Sequence, residues 1–221
     1  MFDLDGTLLD TAPEIAEAAN RMLAALGKPV LPQAQITSYI GEGVQTLIKR
    51  CLTGQRQVEP DAELFARAQP LYHDFYVENV ADSQPFAGVV SALQQLKTQG
   101  YRLACVTNKP EKFTQPLLQK AGLADFFELV VSGDTLPKKK PDPLPLLHTC
   151  QKLGALPTEA MMVGDSETDI QAAHAAGCFV VTVPYGYNQD RVIDAATVDA
   201  TVQQLTEVVD LLELPALLKR G

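Results

Sequence analysis

The sequence predicts an α/β fold: a doubly wound parallel sheet whose chain is interrupted by an inserted helical domain. Three observations carry this. Short apolar runs alternate with segments of helical period over most of the 221 residues. Buried parallel strands read as unbroken apolar runs, and Leu103-Ala104-Cys105-Val106 is one. One long stretch, from about Thr11 to Ser83, breaks the alternation and offers no strand.

In chain order, the expected strands are Met1 to Leu4, Tyr101 to Thr107, Phe127 to Ser132, Ala160 to Gly164 and Cys178 to Val183. The helical segments between them run roughly from Val89 to Gln99, Glu111 to Ala121, Leu144 to Leu153 and Asp169 to Ala176. Each ends near a glycine (Gly100, Gly122, Gly154, Gly177), the usual C-terminal stop. Strand–helix alternation of this kind implies right-handed crossovers. In the interrupting stretch, Thr11-Ala12-Pro13-Glu14 has capping-box spacing with an early proline. Ile15, Ala19, Met22, Leu23 and Leu26 follow with helical period, and Gly27 closes the run. A second helix reads through Val44, Leu47, Ile48 and Cys51. A third carries Leu64, Phe65, Ala68, Tyr72 and Phe75, with Pro70 as a kink. So much helix is too long for one crossover. The expected division is a core of residues 1–12 and 84–221 and a helical cap of residues 13–83, with 81–85 as the return linker.

Apolar residues make up 46% of the chain, enough for a full-sized core, and the net charge is −9. An acidic surface argues against nucleic acid and anionic membranes, which attract clusters of Lys and Arg. No apolar stretch reaches spanning length and no secretory leader is read, so a cytoplasmic protein is expected. Cys51, Cys105, Cys150 and Cys178 form no C-x-x-C pair and read as free thiols in a reducing compartment.

Ligands of open parallel sheets bind outside the carboxyl ends of the strands. The first strand ends in Asp3-Leu4-Asp5-Gly6-Thr7 and the second in Thr107-Asn108-Lys109-Pro110. The loop after the third holds Lys138-Lys139-Lys140-Pro141-Asp142-Pro143, and the fourth ends in Gly164-Asp165-Ser166-Glu167-Thr168-Asp169. Asp3, Asp5 and Asp165 supply hard oxygen ligands suited to Mg²⁺. Without a cation, converging carboxylates would repel and some would protonate. A carboxylate is also a nucleophile toward phosphorus, and phosphoryl transfer needs mainly positioning and charge stabilisation. Lys140 can supply positive charge, Thr107 a hydroxyl, and Gly6 a close backbone approach to phosphate.

D-x-D-G-T, a strand ending in Thr-Asn, Lys-Pro and G-D-S-x-x-D, in that order, resemble the haloacid dehalogenase superfamily over almost the whole chain. The resemblance implies a Rossmann-like core with a C1-type cap. Val106 to Pro110, Lys140 to Pro143, Gly164 to Ile170, Tyr185-Gly186-Tyr187 and the cap segment Tyr39-Ile40-Gly41-Glu42-Gly43 are similar to bacterial members acting on 2-phosphoglycolate. It implies the following roles. Asp3 attacks phosphorus and ligates Mg²⁺; Asp5 protonates the leaving alcohol, then activates water, and its carbonyl reaches the metal. Thr107 and Asn108 hold phosphate, and Lys140 neutralises charge on Asp3 and the phosphate. Asp165 completes the metal site, with Ser166 and Asp169 supporting. Gly41, Gly43 and Arg50 of the cap face the leaving group. The partner is then a small phosphorylated metabolite. Only Met1 and Phe2 precede Asp3, fewer than the family's central strand carries, so that strand is expected to be short or cut.

Blander readings stand beside these. Asp10 reads as a turn or cap residue, Lys138 and Lys139 as solvated, and the Tyr and Phe of the third cap helix as cap core. His73, His148 and His174 show no ligand spacing. Other small phosphates, such as sugar phosphates or pyrophosphate, and a phosphomutase share the intermediate. A dehalogenase needs neither Mg²⁺ nor Asp5, and a non-catalytic phospho-switch explains neither Asp5 nor the cap.

Overall fold

A computed structural model describes residues 1–79, 83–188 and 191–212. Residues 81 and 82 of the expected return linker lie outside the described residues. The elements alternate as the apolar runs predict, with shorter strands. After Asp3 the chain turns on itself and enters β1 (Leu9–Asp10). Four helices follow: α1 (Ala12–Ala25), α2 (Gln33–Thr37), α3 (Val44–Thr53) and α4 (Ala62–Asn79), the last running through Pro70. Then β2 (Gln84–Pro85) pairs antiparallel with β1, Leu9 opposite Pro85 and Asp10 opposite Gln84. This small ribbon joins the chain where it enters the helices to where it leaves them.

The remainder is βα repeats: α5 (Val89–Thr98), β3 (Ala104–Val106), α6 (Glu111–Lys120), β4 (Leu129–Val131), α7 (Leu144–Leu153), β5 (Met161–Gly164), α8 (Glu167–Ala176), β6 (Phe179–Thr182), β7 (Ala200–Thr201) and α9 (Glu207–Leu212). β3 pairs parallel with β4, and β5, β6 and β7 pair parallel in that order. Gly154 and Gly177 end α7 and α8 in the left-handed region that suits glycine.

The expected strand from Met1 to Leu4 is reduced to a bridge at Phe2, which lies between β3 and β5 and joins the two halves of the sheet. Phe2 N donates to Ala104 O (2.9 Å) and Val106 N to Phe2 O (2.8 Å). On the other side Asp3 N donates to Val163 O and Val163 N to Met1 O, both at 2.9 Å. Leu4 is lost to the strand because its carbonyl accepts from the N–H groups of Leu8 and Leu9 in the turn.

Successive strand residues face opposite sides of the sheet. Val163 and Val181 join Leu93, Leu117 and Val208 in one apolar cluster, while Met162 and Val180 join Leu146 and Ile170 in another. Helices therefore cover both faces. α1 to α4 have a third cluster, built on Ile15, Met22, Ile36, Ile48, Tyr72 and Tyr76, into which α6 inserts Phe113.

Candidate active site

Asp3 emerges at the carboxyl end of the Phe2 segment, Thr107 directly after β3, and Asp165 directly after β5. Lys140 comes from the loop between β4 and α7. Its ammonium reaches Asp169 Oδ1 at 2.6 Å, Val106 O at 2.6 Å and Asp3 Oδ1 at 3.0 Å, and the residue is 2% exposed. Burial works against the charge on Lys140, but Asp169 and Asp3 outweigh it and raise its pKa. Asp169 is fixed from its other side: Oδ2 accepts from Ser166 N (3.2 Å) and Ser166 Oγ (2.8 Å), a reciprocal cap on α8. This cap starts the helix at Glu167, two residues before the periodicity does.

Asp3, Asp165 and Asp169 each bring an oxygen to within 4.8 Å of the others'. Asp165 accepts from Thr7 Oγ1 (2.8 Å) on Oδ1 and from Tyr187 N (2.6 Å) on Oδ2. Asp3 Oδ1 accepts from Leu4 N at 2.8 Å. Three buried carboxylates face one buried lysine, and the imbalance shows in the acidity of Asp3 and Asp165. Burial pushes the Asp3 carboxyl up to about 7, Lys140 opposing and Asp169 and Asp5 adding to it. Burial also raises Asp165 well above the carboxylate range, reinforced by Asp169 and Asp3. Converging hard oxygens short of positive charge fit a divalent cation such as Mg²⁺.

Glycines let these groups pack so closely. Gly6 has φ +85°, and a Cβ there would lie 2.5 Å from Asp165 Oδ2. A Cβ on Gly164 would lie 2.4 Å from Asp169 Cγ.

Asp5 is not among the three clustered carboxylates. Its Oδ1 accepts from Thr11 Oγ1 (2.7 Å) and from Lys109 Nζ (2.8 Å). The capping-box expectation at Thr11 therefore fails, because the hydroxyl is committed to Asp5 and makes no cap bond. The phenol of Tyr187 takes over, accepting from Thr11 N (2.9 Å) and Ala12 N (3.1 Å) while donating to Asp10.

Above Asp3 and Asp5 lies a chamber of about 40 Å³. Asn108, Lys109, Pro110 and Phe113 line it from the core, and Ile15, Ile40, Gly41, Gly43, Val44, Leu47, Tyr72 and Tyr76 from the helical insert. Thr107 is buried, its hydroxyl accepting from Lys109 N (3.2 Å). Asn108 Nδ2 donates to Gly41 O (2.9 Å) and Lys140 O (2.8 Å), tying insert to core. Gly43 lies at φ +90°, where a side chain would be strained, and a Cβ added there would stand 2.7 Å from Lys139 Nζ.

Other placements depart from the sequence reading. Arg50 is absent from the chamber lining; its guanidinium bonds Glu42 Oε1 (2.7 Å), Tyr39 O (3.3 Å) and Arg56 O (3.4 Å), bracing the loop that carries Gly41 and Gly43. Lys139 is half-buried and donates to Glu42 O, so it is not simply solvated, whereas Lys138 is exposed and pairs with Asp142. Tyr72 and Tyr76 are helical core, as periodicity predicts, yet also form chamber wall. Lys109 and Tyr187 carried no expected role, and Thr11 was expected only as a helix cap. Lys109 stood inside a quoted motif, but only tertiary structure shows where its side chain goes.

The sequence profile of the haloacid dehalogenase-like hydrolases matches residues 1–183. The chain belongs to that family. It is 54% identical over 208 residues to a phosphoglycolate phosphatase of Thiobacillus denitrificans, covering 94% of this chain and 92% of the relative. A crystal structure described as a predicted phosphoglycolate phosphatase from Haemophilus somnus 129PT superposes with TM-score 0.90 at 35% identity, covering 96% of each chain. CbbY from Rhodobacter sphaeroides, solved in complex with phosphate, superposes at TM-score 0.81 with 25% identity, covering 96% of this chain and 97% of that one. Among the described residues, no helix is long and apolar enough to cross a membrane.

Proposed function

We propose that this family member is a Mg²⁺-dependent phosphatase that hydrolyses 2-phosphoglycolate to glycolate and phosphate through an aspartyl-phosphate on Asp3. The observation that carries the chemistry is the division of labour on one turn. Asp3 faces Lys140 and two further carboxylates, while Asp5 turns away from them to Thr11 and Lys109 at the chamber. A nucleophile and a separate acid/base are what a two-step phosphoryl transfer to water requires.

Asp3 Oδ1 is engaged by Leu4 N and Lys140, which leaves Oδ2 to attack phosphorus. Asp5 gives its proton to the departing ester oxygen, and the alcohol leaves. Asp5, now a carboxylate, takes a proton from water as that water attacks the phosphorus of the acyl phosphate and regenerates Asp3. Lys140 holds charge on Asp3 and the phosphate through both steps, with Thr107 and Asn108 around the phosphoryl oxygens and Gly6 leaving the backbone close. Asp3, Asp165 and the main-chain carbonyl of Asp5 are the proposed holders of Mg²⁺, which when bound offsets the negative charge gathered between nucleophile and phosphate. Asp169 is a support, since Lys140 occupies one of its oxygens and Ser166 the other.

Residues 13–83 act as the cap, with Gly41 and Gly43 on its substrate face and Arg50 holding that loop. The chamber of about 40 Å³ suits a leaving group of few atoms. Four buried free cysteines and a small metabolite substrate support a cytoplasmic location.

The test is a panel of 2-phosphoglycolate, sugar phosphates and pyrophosphate, with released phosphate measured with and without a chelator. 2-Phosphoglycolate should rank among the best by kcat/KM, and chelation should stop turnover. A low rank would remove the substrate assignment while the chemistry stood.

A further inference from the structure

We propose that Lys109 determines specificity by binding a carboxylate attached to the ester carbon of the substrate. This rests on the phosphatase reading above and deepens it, since it names the residue that selects the leaving group and the group it selects.

The charge inventory of the chamber carries the inference. Among the described residues, three ionisable side chains other than tyrosine line it: Asp3, Asp5 and Lys109. Asp3 is the end that meets phosphorus. Beyond Asp5 the wall is formed by Ile15, Leu47, Phe113 and the rings of Tyr72 and Tyr76, the Tyr76 phenol being buried without a hydrogen-bond partner among the described residues. Tyr76 and Asn108 offer neutral partners to a hydroxyl, but neither carries a charge that could balance an anion buried there. A leaving group with one negative charge finds one cation. The neighbouring lysines are committed elsewhere, Lys140 to Asp3, Asp169 and Val106 O, and Lys139 to Glu42 O.

Lys109 is built into place. Its backbone N–H donates to Thr107 Oγ1 (3.2 Å), and its carbonyl accepts from Gly133 N (2.8 Å) and Thr114 Oγ1 (3.2 Å). Its side chain is 5% exposed, and the ammonium stands 4.8 Å from the centre of the Tyr76 ring. An ammonium has three donor hydrogens, and Asp5 Oδ1 at 2.8 Å uses one. That same Asp5 carboxyl must meet the ester oxygen in the proposed mechanism. A carboxylate attached to the ester carbon therefore falls beside Lys109, two bonds beyond the oxygen that Asp5 protonates. A neutral group at that position would leave the lysine without the second partner.

The experiment compares 2-phosphoglycolate with 2-hydroxyethyl phosphate, in which a hydroxymethyl replaces the carboxylate, using phosphate release by wild type and Lys109→Met with Mg²⁺. Wild type should prefer the carboxylate ester by about a hundredfold in kcat/KM, the discrimination expected when a site is built for a group the rival lacks. Both activities should fall in Lys109→Met, because Asp5 loses a neighbour, but the preference should shrink at least about tenfold, mainly through KM for 2-phosphoglycolate. An equal loss on both esters would overturn the inference and make Lys109 a positioning residue for Asp5. The wild-type comparison keeps the idea testable should the variant fail to fold: turnover of both esters without preference overturns it and leaves the phosphatase reading intact. Release of phosphate from neither ester would overturn both.

Discussion

Asp3 and Lys140 are each buried, and neither would be stable there alone. Lys140 replaces water with three oxygen acceptors, the condition under which a buried cation is tolerated. Burial raises the Asp3 carboxyl from 3.8 to about 7, with Lys140 opposing and Asp169 and Asp5 adding to it. The sign of the consequence follows from proton binding. Between those two values the folded chain holds a proton at Asp3 that the unfolded chain has lost, so without metal this group's contribution to stability falls as pH rises through the window. A divalent cation binds the ionised form and reverses the loss. The rise in melting temperature on adding Mg²⁺ should therefore grow from about pH 5 to about pH 8. Thermal melts with and without Mg²⁺ across that range check this, and a shift independent of pH would contradict it. At this scale Asp3, Asp5, Lys140 and Asp165 were legible, because their spacing from strand ends puts them on one rim of the sheet. Lys109 was not. A lysine after Thr-Asn can point to solvent or into the site, and the backbone bonds that aim it come from Gly133 and Thr114, distant in sequence or round a helix turn.

Among elements, α6 couples the sheet to the helical insert through its side chains. Its N-terminal turn follows Lys109 and Pro110, and Phe113 leaves it to sit 4.9 Å from the Tyr76 ring and 5.4 Å from the His73 ring of α4. Phe113→Ala should cost about 3–5 kcal/mol, as other buried Phe truncations do. The loss should concentrate where the insert meets the core, so amide exchange should quicken in α4 while β3 stays protected. Hydrogen-exchange mass spectrometry reads both, and equal loss in the two would contradict a coupling role. The long helices and the βα repeats were legible from period and glycine stops. The β1–β2 ribbon, α2 and β7 were not, since elements of two to five residues are too short to show a period. The Phe2 segment fell between: its apolar start suggested a strand, and the turn that follows takes Leu4 out of it.

For the molecule as a whole, the sheet gathers the reacting groups at one edge and the helical insert roofs them. Asn108 bridges the two at Gly41 O and Lys140 O, and Tyr187 ties the start of α1 to the loop that holds Asp165. The apparatus for charge thus belongs to the sheet and most of the apolar wall to the insert. That partition explains why the order of four motifs sufficed to read the chemistry, whereas the chamber needed three-dimensional packing: periodicity marks Tyr72 and Tyr76 as buried without saying that they also face a ligand. The central claim is that Asp3 forms the bond to phosphorus. Its most direct test is phosphate release from 2-phosphoglycolate with Mg²⁺ by wild type and Asp3→Asn, each checked for an unchanged fold by circular dichroism. The nucleophile assignment predicts a loss of more than about a thousandfold in kcat for the variant; undiminished Mg²⁺-dependent release by Asp3→Asn would contradict it.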